Sequence, residues 1–258
     1  MIAKNISIIT VVYNDLPGLK ETKDSVQRQS FSNYEWIVCD GGSERDTLDY
    51  LLSLGDEVNW VSRQDKGIYD AMNTGVSMCN GDYVVFMNAG DVFYDNAVLG
   101  DVVSFLSKNG QGADLLFGGA MLEFQISGRS VYRPPRAVAK SIWHGLPANH
   151  QATFYRKKLL TVTPYDLKYK LCGDYYLVAT LIKNGSNAVY LDKPLARFGV
   201  GGQSYVKRRL LFAEPYRIQR DVLGLPFYYR WASLLKRLVS TLGFILLAQS
   251  FTGRKKRS

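Results

Sequence analysis

Four short apolar segments in the first half of the chain alternate with segments of helical periodicity. Each apolar segment is rich in β-branched or aromatic residues and is followed by polar turn residues, which is typical of strands buried on both faces. The predicted strands are Ile6 to Tyr13, Tyr34 to Cys39, Val58 to Ser62 and Asp82 to Met87, and the predicted helices are about Leu19 to Gln29, Glu44 to Leu54 and Ile68 to Cys79. This order predicts an α/β fold with a mostly parallel sheet flanked by helices.

An aspartate follows three of these strands: Asp40 the second, Asp65 the third and Asp91 the fourth. Ligands of open parallel sheets bind beyond the carboxyl ends of the strands, so we expect the three carboxylates on one rim. A carboxylate at Asp91 can bind a divalent cation. The alternative is that Asp40 starts a turn and caps a helix, and that Gly90-Asp91 is a common turn.

The second half has a less regular pattern. Asp114 to Phe124 and Arg129 to Tyr132 are predicted strands, and a loop-rich stretch spans Trp143 to Gln151. A helix is predicted over Gly173 to Asn184 and a short strand over Ala188 to Leu191. Asp174 precedes the apolar face of that helix, where it is either the N-cap or a general base.

Positive charge is concentrated at the C-terminal end. The net charge is +9, but residues 205–258 contain 12 Lys and Arg against two Asp and Glu, and the rest contains 20 against 21. We therefore divide the chain into a globular domain over 1–204, which is large enough to be a catalytic domain, and a basic amphipathic helical tail over 205–258. Because the excess charge lies beside an apolar stripe, nucleic acid is not expected as a partner.

The tail has apolar residues at helical spacing from about Pro226. Its uncharged stretch, residues 238–253, is shorter than the roughly 20 apolar residues that span a bilayer. We therefore predict a helix that lies on an anionic membrane surface; the alternative is that this helix covers the first domain. Three scattered cysteines and the lack of a secretory signal predict a cytoplasmic protein, peripheral on the inner face of the cell membrane.

Five segments in a fixed order resemble family 2 glycosyltransferases, which have the GT-A (Rossmann-like) fold. The segments are ISIITVVYN at 6–14, WIVCDGGS at 36–43, DKGIYDAMNTG at 65–75, GDYVVFMNAGD at 81–91 and CGDY at 172–175. The third is similar to the segment that wraps the donor in bacterial exopolysaccharide transferases. The stretches 146–154, 165–170 and 201–204 are further similar to colanic-acid transferases.

The resemblance implies an inverting transfer of a sugar from a nucleotide sugar to a hydroxyl group of a lipid-linked saccharide, in exopolysaccharide or other surface-polysaccharide biosynthesis. GDP-fucose is one candidate donor. It implies Asp174 as the catalytic base, Asp91 as the ligand of Mg²⁺ or Mn²⁺, and His150 and Gln151 on the acceptor side. The residues it assigns to donor binding are Thr10, Val11, Tyr13, Asp40, Lys66, Gly67, Asp70, Asn73, Asn88 and Ala89.

Two positions depart from the family pattern. Asn88 stands where the family has a further carboxylate, which leaves Asp91 alone, and Gly173 stands where the family has Glu before the base. The first departure keeps open a non-catalytic relative that binds carbohydrate or membrane. A sugar-phosphate nucleotidyltransferase is a second alternative, but it needs a Gly-rich basic loop where this chain has Tyr13, Asn14 and Asp15.

Overall fold

A computed structural model describes residues 6–110, 112–124, 128–199 and 210–239. The strands are β1 (Ile6–Val12), β2 (Tyr34–Asp40), β3 (Asn59–Ser62), β4 (Tyr83–Phe86), β5 (Val92–Phe93), β6 (Leu115–Phe124), β7 (Arg129–Arg133), β8 (Thr153–Arg156) and β9 (Ala188–Gly199). The helices are α1 (Leu16–Gln27), α2 (Arg45–Ser53), α3 (Ile68–Met78), α4 (Val98–Asn109), α5 (Val138–Ser141), α6 (Lys157–Val162), α7 (Gly173–Lys183), α8 (Leu210–Asp221) and α9 (residues 227–239).

The described strands form one sheet in the order β3-β2-β1-β4-β8-β6-β9-β5, with β7 paired to β6. The strands from β3 to β4 are parallel, as the sequence predicts. Beyond β4 the sheet is mixed: β8 is antiparallel to β4 and β6, and β9 is parallel to β6 but antiparallel to β5. The GT-A-type α/β architecture is confirmed, with its parallel part confined to the first half.

Five elements were not predicted, and one is longer than expected. The strands β5 and β8 and the helices α4, α5 and α6 have no counterpart among the predictions, and β9 extends to Gly199 where a strand ending at Leu191 is predicted. β5 has two residues and β8 has four, and each pairs with a strand far away in sequence. Such short segments have no periodicity of their own, so only the tertiary pairing defines them.

Both faces of the parallel part are covered, which explains the continuous apolar pattern of β1. Ile8 and Val12 pack in the cluster that includes residues of α1, α2 and α4. Ile9 and Val11 point to the other face and pack with residues of α3 and α7. A strand in this position therefore alternates between two cores rather than between core and solvent.

The tail is packed on the first domain where it is described. Glu214 of α8 is buried, and its carboxylate accepts backbone hydrogen bonds from Lys170, Leu171 and Cys172 at 2.8–2.9 Å. Gln219 of α8 donates to Ser233 of α9 at 2.7 Å. The predicted boundary at 204/205 and the apolar and basic residues beyond 239 lie outside the described residues. None of the described helices is long and apolar enough to cross a membrane.

Candidate active site

Asp40 lies at the carboxyl end of β2 and is almost fully buried. Its Oδ2 accepts hydrogen bonds from the amides of Gly42 and Ser43, at 3.1 and 3.0 Å, and from the hydroxyl of Ser62 at 2.6 Å. Its Oδ1 is buried and has no partner among the described residues. Asp40 does form the turn that the simpler interpretation expects, and one acceptor oxygen remains for a ligand.

Gly41 is the point at which three segments of the rim approach each other. A Cβ at this position would lie 2.8 Å from Oδ2 of Asp65 and 3.4 Å from Cδ2 of Tyr13. The ring of Tyr13 is 63% exposed. An exposed aromatic ring next to Gly41, the residue that follows Asp40, suits a planar base that stacks and donates hydrogen bonds.

The ends of β2 and β4 are both bonded to the end of β1. The amide of Gly41 donates to Val12 O at 2.9 Å, and the amide of Ala89 donates to Val11 O at 3.0 Å. Thr10 is fully buried, and its hydroxyl accepts from the indole of Trp36 at 2.9 Å. The carbonyl groups of Val11 and Val12 thus hold the rim together, whereas the Thr10 side chain faces the core.

The segment from Asp65 to Asp70 forms a hydrogen-bonded turn before α3. Asp65 Oδ1 accepts from the amide of Gly67 at 2.7 Å, and Asp70 Oδ2 accepts from the amide of Lys66 at 3.0 Å. Gly67 has φ +117°, a backbone conformation that residues other than glycine rarely adopt. The turn leaves Lys66 exposed beside the rim.

The side-chain amide of Asn73 in α3 forms two hydrogen bonds of 2.9 Å with the backbone of Tyr165: its nitrogen donates to Tyr165 O, and its oxygen accepts from the Tyr165 amide. It fixes the loop before α7 to α3. A role of Asn73 at the donor would therefore act through the position of this loop.

Asp91 lies beyond β4 and accepts two hydrogen bonds of 3.1 Å, from the amide of Asn88 and from the side-chain amide of Gln151. Burial raises the pKa of Asp91 to about 7, although both hydrogen bonds act against the shift. The side-chain oxygens of Asn88 and Gln151 are buried and lack partners in the described structure. Gln151 contacts the Asp91 carboxylate directly, and Asn88, whose amide does so as well, bears a third side-chain oxygen at this end of β4.

These side chains can hold a hard cation only together with ligands from the substrate and from water. No group of three or more His, Cys, Asp or Glu residues that could hold a metal occurs in the described part of the chain. Mg²⁺ takes oxygen ligands and usually combines one or two carboxylates with substrate phosphates and water. Asp91, with the amide oxygens of Asn88 and Gln151, fits that pattern.

Asp174 lies in the first turn of α7, after the N-cap Cys172. The N-cap interpretation of Asp174 is therefore wrong. Its Oδ1 accepts from the amide of Tyr175 at 2.8 Å. Burial raises the pKa of Asp174 to about 6; backbone hydrogen bonds and the Arg237 charge oppose this shift, and the Glu214 charge adds to it. A carboxylate of this pKa is suited to general-base work near neutral pH.

The packing around residue 173 explains why a glycine precedes Asp174. A Cβ at Gly173 would lie 2.7–2.8 Å from ring atoms of Tyr69, whose hydroxyl is fixed by a 2.9 Å bond to Leu171 O. The Glu that the family has at this position cannot be placed here unless Tyr69 moves. The aromatic ring occupies the place of that carboxylate beside Asp174.

Asp174 lines an open cavity of about 320 Å³. His150 also lines it, and burial lowers the His150 pKa to about 4, so its imidazole is neutral at pH 7. The next residue, Gln151, bonds Asp91 instead. The turn at His150–Ala152 therefore joins the cavity to the rim.

The sequence did not assign four cationic residues of the cavity wall to the site: Arg133, Arg136, Lys236 and Arg237. The Arg-Pro-Pro-Arg pattern at 133–136 was an available signal. The pair Lys236-Arg237 was predicted to contact lipid, whereas the interpretation that α9 covers the first domain would have placed it here.

The three cysteines are free and buried. Burial raises the pKa of Cys39 to about 12 and that of Cys79 to about 11. Both thiols are protonated at neutral pH, so neither provides the thiolate that a cysteine nucleophile requires.

Comparisons with known proteins show the family and the fold of the chain. The family model described as "Glycosyl transferase family 2" matches residues 7–162. The chain is 32% identical over 183 residues to a PGL/p-HBAD biosynthesis glycosyltransferase of Mycobacterium tuberculosis, with 68% of each chain covered.

Two solved structures show the same fold at low sequence identity. TarS of S. aureus in complex with UDP-GlcNAc gives a TM-score of 0.65 at 17% identity, covering 91% of this chain and 71% of TarS. The mannosyltransferase PcManGT of Pyrobaculum calidifontis, in complex with GDP-Man and Mn²⁺, gives 0.60 at 14% identity, covering 97% and 83%. With the family match over more than half of its length, the chain belongs to glycosyl transferase family 2 and is a glycosyltransferase of the GT-A fold.

Proposed function

We propose that this glycosyltransferase moves a sugar from a nucleotide-sugar donor to a hydroxyl group of a saccharide acceptor, with inversion at the anomeric carbon. The observation that carries the proposal is the position of Asp174. It is a carboxylate of raised pKa in a cavity wall, and the turn at His150–Ala152 joins that wall to the rim where Asp91 lies.

The donor site is the rim beyond β1, β2 and β4. The unpaired oxygen of Asp40 accepts a hydrogen bond from the nucleobase, Tyr13 stacks on it, and the Asp65–Asp70 turn borders the ribose and sugar. TarS and PcManGT are in complex with UDP-GlcNAc and GDP-Man, respectively. We therefore take a nucleoside diphosphate sugar as the donor class, and both uridine and guanosine donors, GDP-fucose among them, are candidates. Asn88 and Ala89 approach the diphosphate from the end of β4.

The chemical step is a single displacement. Asp174 accepts the proton of the acceptor hydroxyl while that oxygen bonds to the anomeric carbon and the nucleoside diphosphate departs. Neutral His150, beside Asp174 in the cavity, is placed to hydrogen-bond the acceptor. One attack on the face opposite the leaving group inverts the configuration.

A Mg²⁺ or Mn²⁺ ion belongs to this proposal through Asp91. When bound, such a cation neutralises charge on the leaving diphosphate. Gln151 and the Asn88 amide hold the Asp91 carboxylate in a fixed orientation, so the protein contributes one oriented anionic ligand and two amide oxygens.

The acceptor is proposed to be lipid-linked and the protein peripheral on the cytoplasmic face of the membrane, in surface-polysaccharide biosynthesis, of which exopolysaccharide and colanic acid are candidates. Helix α9 exposes large apolar side chains, among them Phe227, Tyr228, Trp231, Leu235 and Val239, each 55–65% exposed. A row of exposed aromatic and aliphatic side chains next to a basic segment suits a lipid interface.

Replacing Asp174 by Asn is expected to lower kcat by about 10³-fold, since general-base catalysis contributes about 10²–10⁴-fold. Nucleotide affinity, measured by calorimetry, should stay within about twofold. In the unaltered protein kcat should rise with pH through about 6 and then level, because only the ionised Asp174 accepts a proton. Asp166→Asn, an outlying carboxylate paired to Lys168, is the control. Equal losses of catalysis and nucleotide binding in D174N would assign Asp174 a structural role.

Replacing Asp91 by Asn should remove the effect of Mn²⁺ on nucleotide binding. The unaltered protein is expected to bind a nucleoside diphosphate more tightly with Mn²⁺ than with a chelator, because Asp91 and the phosphates share the cation. Asp82→Asn, an exposed carboxylate before the opposite end of β4, should behave like the unaltered protein. An Mn²⁺ effect that persists in D91N would remove Asp91 from the cation site.

Replacing Trp231 and Leu235 together by Ser should weaken binding to vesicles that contain phosphatidylglycerol. Burying each large apolar side chain in the interface contributes about 1.5–3 kcal/mol, so the double change should cost at least about tenfold in partitioning. The measurement is co-sedimentation of the full chain. Val162→Ser, an exposed valine of α6, is the control, and unchanged sedimentation of the double variant would refute the lipid-contact surface.

A further inference from the structure

Four cationic side chains line the cavity that contains Asp174, and we call this space the basic cavity. Arg133 ends β7 and Arg136 follows it, whereas Lys236 and Arg237 come from α9. Two segments separated by about a hundred residues thus bring four positive charges around one carboxylate. Such a concentration of one sign in a concave site attracts anions.

Asp174 is the one carboxylate among the described residues that line the basic cavity. Arg133, Arg136 and Lys236 form no ion pair with an Asp or Glu of the described residues. Arg136 donates instead to Leu146 O at 3.0 Å, and Lys236 lies 3.0 Å from the His144 ring nitrogen. Arg237 donates to the backbone oxygen of His144.

The electrostatic effects on neighbouring groups show that these cations act on one another. Burial and the Arg136 charge lower the pKa of Arg133. Burial and the charges of Lys236, Arg136 and Arg237 lower the pKa of His144 to about 4. His144 is therefore neutral at pH 7, and the wall carries four positive charges against the single carboxylate of Asp174.

The basic cavity is separate from the donor rim. Asp40, Asp65 and Asp91 are not among its lining residues, and Gln151 bonds Asp91 next to its wall. In the proposed reaction Asp174 takes its proton from the acceptor, so the space around Asp174 receives the acceptor. A cation cluster at that place contacts the acceptor rather than the diphosphate of the donor.

We propose that the basic cavity binds a phosphoryl group of the acceptor, so that the acceptor class is a saccharide carrying a phosphate or diphosphate close to the hydroxyl that receives the sugar. A single arginine guanidinium group can donate two parallel hydrogen bonds to the oxygens of a phosphate, and a lysine ammonium group adds a mobile point charge. This inference rests on the proposed function, because it takes Asp174 as the acceptor's base.

Helix α9 connects the two properties of such an acceptor. Lys236 and Arg237 line the basic cavity, while Trp231 and Leu235 on the same helix are exposed. A saccharide that is joined to a lipid through phosphate has both a phosphate and a hydrocarbon chain. The helix therefore offers a cationic side to the phosphate and an apolar side to the lipid phase that holds the chain.

Calorimetric titration of inorganic pyrophosphate into the full chain tests the proposal, with UDP or GDP present at saturation to fill the donor site. Pyrophosphate should still bind, and Arg133→Gln or Lys236→Gln should weaken it at least about tenfold, because each removes a charge-assisted hydrogen bond to phosphate. Nucleotide affinity should stay within about twofold. Neither side chain belongs to the hydrophobic core, and both residues reach the solvent, so neither change should affect folding.

Two matched variants serve as controls: Arg129→Gln on β7, whose side chain is exposed, and Arg230→Gln on α9, whose guanidinium stacks over Tyr216. Both should keep the pyrophosphate affinity. Competition between pyrophosphate and nucleotide, with R133Q and K236Q weakening both, would assign the cluster to the donor and overturn the proposal. Unchanged pyrophosphate binding in both variants, or none at saturating nucleotide, would overturn it as well.

A vesicle arm distinguishes the acceptor phosphate from phospholipid headgroups. Co-sedimentation with phosphatidylglycerol vesicles should be the same for R133Q, K236Q and the unaltered chain; a loss that parallels the loss of pyrophosphate binding would assign the cluster to headgroups and overturn the proposal. If neither UDP nor GDP binds, the proposed function fails, and the titration of the nucleotide-free chain still decides whether the basic cavity binds phosphate.

Discussion

Asp40 receives three hydrogen bonds on one carboxylate oxygen, and the rim of the sheet depends on them. The donors are the amides of Gly42 and Ser43 after β2 and the hydroxyl of Ser62 at the end of β3. Hydrogen bonds to a charged acceptor contribute about 1.5–3 kcal/mol each, more than neutral ones. They bend the chain sharply at Gly41, where Tyr13 and Asp65 approach, and they leave the second oxygen of Asp40 unpaired.

The site has two halves that one turn connects. Gln151 bonds Asp91 at the rim, and His150 beside it lines the cavity of Asp174. The position of Asp174 is set in turn by the tail, because Glu214 of α8 accepts hydrogen bonds from the three amides before α7. The C-terminal helices thus help to position Asp174, whereas the first four strands build the rim.

The rim that carries Asp40, Asp65 and Asp91 could be predicted from the sequence because its determinants are local. β1 is a continuous apolar run that has two cores to fill, and Asp40, Asp65 and Asp91 follow strands that end on one edge. The cavity half depends on contacts between residues far apart in sequence, which local patterns do not contain. Arg133 and Lys236 line the same wall only because α9 folds back on the first domain.

Packing also explains residues whose type alone was ambiguous. Gly173 departs from the family pattern because the ring of Tyr69 fills the place of a side chain. This contact joins two distant segments, so the sequence around Gly173 does not predict it. Asn73 lies in a segment that resembles a donor-binding motif, yet its amide is bonded at both ends to Tyr165. Sequence motifs can predict that such residues lie near a site, but their roles follow from the side chains and backbone groups that they contact in the fold.

Binding of nucleoside diphosphates to the full chain and to Tyr13→Ala tests most directly whether the rim is a donor site. The Tyr13 side chain is exposed, so its removal leaves the sheet intact, and stacking on a base contributes about 1–3 kcal/mol. UDP or GDP should bind to the unaltered chain, and Tyr13→Ala should weaken that binding about fivefold or more, while Tyr94→Ala should leave it unchanged. Absence of binding by either nucleotide, or equal affinity in the unaltered chain and the Tyr13 variant, would contradict the account of the rim.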